Sequence, residues 1–114
     1  MVMGHGQCGG CNASLTDAFK DAKPGEGHFI AHWIDMLDEA RETVIEEYGN
    51  DQGSAAQLAM ELAAVKTSIS NLLTFPFVKD RVEASTLNLH GAHFGIEYGA
   101  LKLLNPEKNI FVDA

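Results

Sequence analysis

The sequence predicts a mixed α/β domain in which helices outnumber strands. Between residues 28 and 73, apolar side chains recur at helical spacings of three, four and seven. Beyond residue 86 the period falls to two, the signature of strands. A third observation separates the two ends: four glycines crowd into Gly4-His5-Gly6-Gln7-Cys8-Gly9-Gly10-Cys11, which excludes regular structure there and permits a tight turn with close backbone approach.

Met1-Val2-Met3 reads as the end of a strand leading into that turn. Asn12 or Ser14 caps a short helix running to about Ala22, with Leu15, Ala18 and Phe19 as its apolar face. Lys23 to Gly27 is a loop. His28 to Tyr48 forms one helix, because Ile30, Trp33, Ile34, Leu37, Val44, Ile45 and Tyr48 share a face. Asp35, Asp38, Glu39, Glu42, Glu46 and Glu47 make its solvated side, and Gly49-Asn50 ends it. A second long helix spans about Ser54 to Leu73 on a stripe of Ala55, Leu58, Leu62, Val65, Ile69 and Leu72. Pro76 stops it, and Phe77 to Glu83 adds a short helical turn. Leu87 and Leu89 alternate as a strand, with a phase slip near Gly91 that suggests a bulge before Phe94, Ile96 and Tyr98. Leu101 to Leu104 and Ile110 to Val112 close the chain as strands around an Asn105–Asn109 turn.

The 114 residues make one domain, residues 1–114, able to bury roughly two-thirds of the surface of its unfolded chain. Lys+Arg number 8 against Asp+Glu 16, a net charge of -8, which argues against a sequence-independent hold on nucleic acid, since phosphate binding needs a basic face. No stretch approaches the ~18 to 20 apolar residues of a membrane span. The N-terminus lacks the basic and apolar regions of a signal peptide. Two cysteines are too few for a disulfide scaffold and read as ligands or redox thiols in a reducing, cytoplasmic compartment.

The chemistry concentrates in the glycine-rich turn. His5 and Cys8, three apart, let one turn direct an imidazole and a thiolate at the same point, and both suit zinc. Cys11 adds a Cys-x-x-Cys pair that chelates zinc or cycles as a thiol-disulfide couple, although a packed helix residue is its simplest role. His28 and His32 lie one helical turn apart among Phe29, Ile30 and Trp33 with no third ligand evident, and read as structural. His90 and His93, an odd separation on a strand, also read as structural. Phe75, Phe77, Phe94 and Phe111 are assigned to the core.

The run Gly4-His5-Gly6-Gln7-Cys8-Gly9-Gly10 resembles the Gly-His-x-x-Cys-Gly-Gly signature of the β-class carbonic anhydrases. The likeness continues in order through Gly27–Trp33, Ser68–Val78, Leu89–Ile96 and Leu101–Val112. The resemblance implies an incomplete β-carbonic anhydrase-like α/β fold, with a central, mostly parallel sheet flanked by long helices. It implies Zn2+ held by two cysteines and a histidine, with His5 and Cys8 as two of the ligands. It implies the lyase reaction that hydrates carbon dioxide reversibly to bicarbonate, in a homo-oligomer of two or more copies. Two thiolate ligands would make zinc-bound water less acidic and favour activity at alkaline pH.

The family's first motif, Cys-x-Asp-x-Arg, is absent: both cysteines follow His5, and neither has Asp two positions on. The resemblance covers only the C-terminal part of the family, so the expectation is a truncated domain with no catalytic residue assigned and weak or no activity alone. Two other readings compete. One is a non-catalytic module or half-site partner; the other is a thiol-disulfide protein built on Cys8 and Cys11.

Overall fold

The long helix α4, Ser54–Leu72, is the element on which the rest of the chain packs. In the computed structural model, which describes residues 1–114, it lies between a helical layer and a four-stranded sheet. The other elements are β1 Val2–His5, α1 Gly9–Thr16, α2 His28–Ile34, α3 Asp38–Tyr48, α5 Pro76–Glu83, β2 Gly91–Gly95, β3 Ala100–Asn105 and β4 Ile110–Asp113. No helix is long and apolar enough to cross a membrane.

The helical layer buries Cys11, Leu15, Leu37, Val44, Ala56 and Met60 in one cluster. The sheet covers the other flank. Val65 and Ile69 of α4 fill the space a Cβ at Gly91 would need, and Val65 does the same at Gly4. This two-sided burial explains why the expected α4 stripe is not the observed one. Ala55 and Leu58 are exposed, whereas Ala56, Met60, Glu61 and Val65 are buried. A helix covered on two sides has no single apolar face.

The expected helix from His28 to Tyr48 is interrupted. A 3-10 turn, Asp35–Leu37, separates α2 from α3. Ile34 and Leu37 are both 7% exposed, and three residues per turn aligns a pair three apart. Helix α1 begins earlier than expected and ends sooner, because Asp17 takes the left-handed conformation at φ 56 and stops it. Ala18 therefore lies outside the helix and is exposed, while Phe19 is half-buried.

The sheet order is β1-β2-β3-β4. The mixed α/β class stands, but the sheet is not mostly parallel. Only β1 and β2 run parallel; β2–β3 and β3–β4 are antiparallel. Their connections, residues 96–99 and 106–109, fall short of the dozen or so residues a parallel crossover requires. Leu87–Leu89 stay outside the ladder, where only His90 O accepts from Val2 N–H at 2.8 Å. The register through Gly91–Gly95 is regular, without the expected bulge; Gly91 is there because α4 leaves no room for a side chain.

The face of the sheet turned away from α4 carries Met3, Phe94, Leu101, Leu103 and Val112, all exposed. Phe75 and Phe77 pack on each other with ring centroids 5.7 Å apart, yet both are exposed. The aromatic set is thus mostly surface rather than core, with Phe111 half-buried beneath Lys66.

Candidate metal centre

Strand β1 delivers His5 at its C-terminal end, and Gly6 and Gln7 turn the chain into α1. The turn is held close to β2. Gly6 N–H donates to Phe94 O at 2.9 Å, and a Cβ on Gly6 would lie 3.4 Å from Gly95 Cα. Gln7 adopts φ 57 and donates from Nε2 to Glu97 at 3.1 Å. Cys8 follows as the N-cap of α1, extended at φ -65 and ψ 115.

His5 is exposed, and its Nδ1 lies 3.0 Å from Gly6 O. A carbonyl only accepts, so this bond places the proton on Nδ1 and leaves the Nε2 lone pair free, the tautomer a metal ligand needs. Cys8 is a half-buried free thiol. An imidazole nitrogen and a sulfur on one short turn form a donor set for a borderline-soft cation such as zinc.

Cys11 behaves differently. Its thiol is buried, and burial first, then the neighbouring Cys8 and Glu61, pushes its pKa up to about 12. A thiol held protonated at neutral pH is neither a ready thiolate ligand nor a redox nucleophile. Its place in the apolar cluster supports the packed-residue reading over the thiol-disulfide one.

The other histidine pairs are not brought together as ligands. His32 Nδ1 stands 3.4 Å from Asp35 on the surface. His90 is exposed, whereas His93 is buried. No group of three or more His, Cys, Asp or Glu side chains is placed to hold a metal ion.

Sequence reasoning missed the group that surrounds Cys8. Glu61 and His93, each 3% exposed, meet at 2.8 Å between Oε2 and Nε2. Glu61 Oε1 accepts from Cys8 N–H at 3.0 Å and from Gln57 Nε2 at 2.8 Å. Gln57 Nε2 also donates to Cys8 O at 3.1 Å. One signal was available: Glu61 sits within the apolar register of α4, three after Leu58 and four before Val65.

A carbonic anhydrase family model matches residues 1–101, from β1 into β3. The chain belongs to the carbonic anhydrase family. It is 31% identical over 103 residues to beta carbonic anhydrase 3 of Arabidopsis thaliana, covering 90% of this chain and 40% of that protein. It is 27% identical over 113 residues to a carbonic anhydrase of Helicobacter pylori, covering 97% and 50%. Its fold is similar to that of the β-carbonic anhydrase CcaA, with a TM-score of 0.85 at 23% identity, covering 98% of this chain and 49% of the other. The fold class and the β-class resemblance read from the motifs therefore hold. The chain spans half or less of the length of these relatives.

Proposed function

We propose that this chain binds zinc through His5 and Cys8 and contributes that site to the reversible hydration of carbon dioxide to bicarbonate. The observation that carries the reading is the β1–α1 turn. In a chain of the carbonic anhydrase family it presents a histidine whose Nε2 is free, because Nδ1 is bonded to Gly6 O. When bound, zinc would supply a Lewis acid that lowers the pKa of its water and so provides a nucleophile, less acidic than with neutral ligands because a thiolate donates charge to the metal. The chain's own part is to orient the two donors. Gly6 lets the turn approach β2, and Cys11 fills the core beneath Cys8 instead of competing for metal.

The donor set fits two positions of a four-coordinate site. These 114 residues bring no third His, Cys, Asp or Glu to it, so zinc is held weakly by this chain alone. Homo-oligomerisation and a cytoplasmic location belong to the same reading. The sheet face around Leu103 and the helix face of Phe29 and Trp33 are apolar and exposed, as association surfaces are. Both cysteines are free thiols, as a reducing compartment keeps them.

Zinc content and carbon dioxide hydration are to be measured on the purified chain, alone and mixed with a polypeptide carrying Cys-x-Asp-x-Arg. The expected result is substoichiometric zinc and little hydration alone, with both rising on mixing and both lost in Cys8→Ser. Zinc and hydration unchanged by Cys8→Ser and by His5→Ala would refute the assignment.

A further inference from the structure

Glu61 is a carboxylate only 3% exposed, on a helix whose neighbouring buried positions are apolar. Burying an acid is costly unless every lone pair finds a partner. Its partner His93 answers that cost on one oxygen. The second oxygen is spent on Cys8, and the residue one helical turn earlier, Gln57, is spent there too.

The two backbone polar atoms of Cys8 are thereby both held from α4. Its N–H is taken by Glu61; its C=O accepts from Gln57 at 3.1 Å beside the first bond of α1, from Asn12 N–H at 3.0 Å, and Gln57 in turn donates to Glu61. Fixing the N–H and C=O of one residue fixes the peptide planes on either side of its Cα. The Cα–Cβ direction follows, and the sulfur keeps only its χ1 rotation. A pair that merely joined α4 to β2 would need Glu61 and His93 alone; it would not need the grip on Cys8.

We propose that Glu61 is a positioning residue: with Gln57 it sets the direction of the Cys8 thiol for metal binding, and His93 holds Glu61 in place from β2. This inference rests on the reading of Cys8 as a zinc ligand. Outer groups that orient metal ligands typically contribute roughly tenfold to a hundredfold in metal affinity.

The full chain is titrated with Co2+, whose thiolate charge-transfer absorption reports the Cys8–metal bond without any need for catalysis. The parent chain is expected to show the band and Cys8→Ser to lack it. Glu61→Ala is expected to weaken Co2+ binding by roughly tenfold or more. Glu61→Gln should bind close to the parent, because its amide oxygen still accepts from Cys8 N–H while its NH2 group meets His93. No band in the parent, or a band that survives Cys8→Ser, removes the zinc-ligand reading and this inference with it. A parent band lost in Cys8→Ser, with Glu61→Ala binding as tightly as the parent, leaves the ligand reading standing and overturns the positioning role, whatever happens to the melting temperature. Should Glu61→Ala fail to fold, Gln57→Ala decides. That variant leaves Asn12 N–H on the Cys8 carbonyl but removes both the second donor to it and the donor that steadies Glu61 Oε1, so Co2+ binding should weaken and amide exchange at Cys8 should speed up in the metal-free chain, and parent-like values for both would overturn the proposal.

Discussion

The contact between α4 and the sheet is tight enough that one methyl group should disturb it. A Cβ added at Gly91 would lie 2.9 Å from Ile69 Cδ1, 3.0 Å from Val65 Cγ1 and 3.1 Å from Leu104 Cβ. Comfortable carbon contacts begin at about 3.5 Å. Ile69 Cδ1 ends a flexible side chain and can move. Leu104 Cβ is fixed to the β3 backbone, and Val65 is a β-branched residue with essentially one rotamer in a helix. Relief therefore requires α4 to lift from the sheet and β3 to draw back from β2. Overpacking of this kind costs about 1–3 kcal/mol, and the lower entropy of the unfolded alanine chain offsets about 0.4–1 kcal/mol of it. Gly91→Ala should thus show a net loss centred on ~1.3 kcal/mol, at most about 2.6, read by urea unfolding as a lower midpoint at an unchanged slope. Val65→Ala removes the facing Cγ1, so it should cost clearly less in the Gly91→Ala background than in the parent. A Gly91→Ala chain as stable as the parent, or a Val65→Ala cost that is the same in both backgrounds, would refute the reasoning.

Met60 is fully buried in the helical cluster, so Met60→Ala should cost about 2–5 kcal/mol in the same assay; a loss under ~1 kcal/mol would mean the cluster collapses around the gap. His93→Leu removes the partner of a buried carboxylate and should cost about 3–5 kcal/mol, with Glu61→Gln recovering part of the loss in the double variant; a double variant worse than either single one would contradict this. The Cys11 thiol is held protonated up to about 12 against an ordinary 9.0, by burial and then by Cys8 and Glu61. A folded pKa above the unfolded one gives stability that is fully present below pH 9 and is lost as pH rises toward 12. The metal-free chain should lose up to about 1.4 kcal/mol per pH unit in that window. Cys11→Ala should lose correspondingly less, and an equally steep decline in that variant would rule Cys11 out as the cause.

Local chemistry was the part of the fold most readable from the sequence. The span of α4, strands β3 and β4, and the Pro76 boundary follow from periodicity and from turn residues that act on their neighbours. The break at Asp35–Leu37 was hidden because Ile30 and Trp33 extend the helical pattern yet remain exposed; burial of Ile34 and Leu37 decides the geometry instead. The α4 stripe misled for a related reason, since which face of a helix is buried depends on what covers it. At the candidate site, the proposed donors His5 and Cys8 could be named because their spacing is local. Gln57, Glu61 and His93 were not, because they reach Cys8 from a distant helix and strand; only the acid among apolar positions on α4 hinted at them.

Parallel pairing of β1 with β2 joins the first residues of the chain to residues beyond 90. The Cys8–Glu61 bond spans 53 residues and the Gln7–Glu97 bond spans 90. Contacts that close such long loops surrender chain entropy before they return any energy, so they form after local ones. The hairpin of α3 and α4 and the meander of β2, β3 and β4 are local units that can assemble first. The glycine-rich turn should then take shape only as β1 docks, late in folding. A metal ion offered to the refolding chain meets donors that have not yet been assembled. Its binding should prolong the life of the folded state without hastening its arrival.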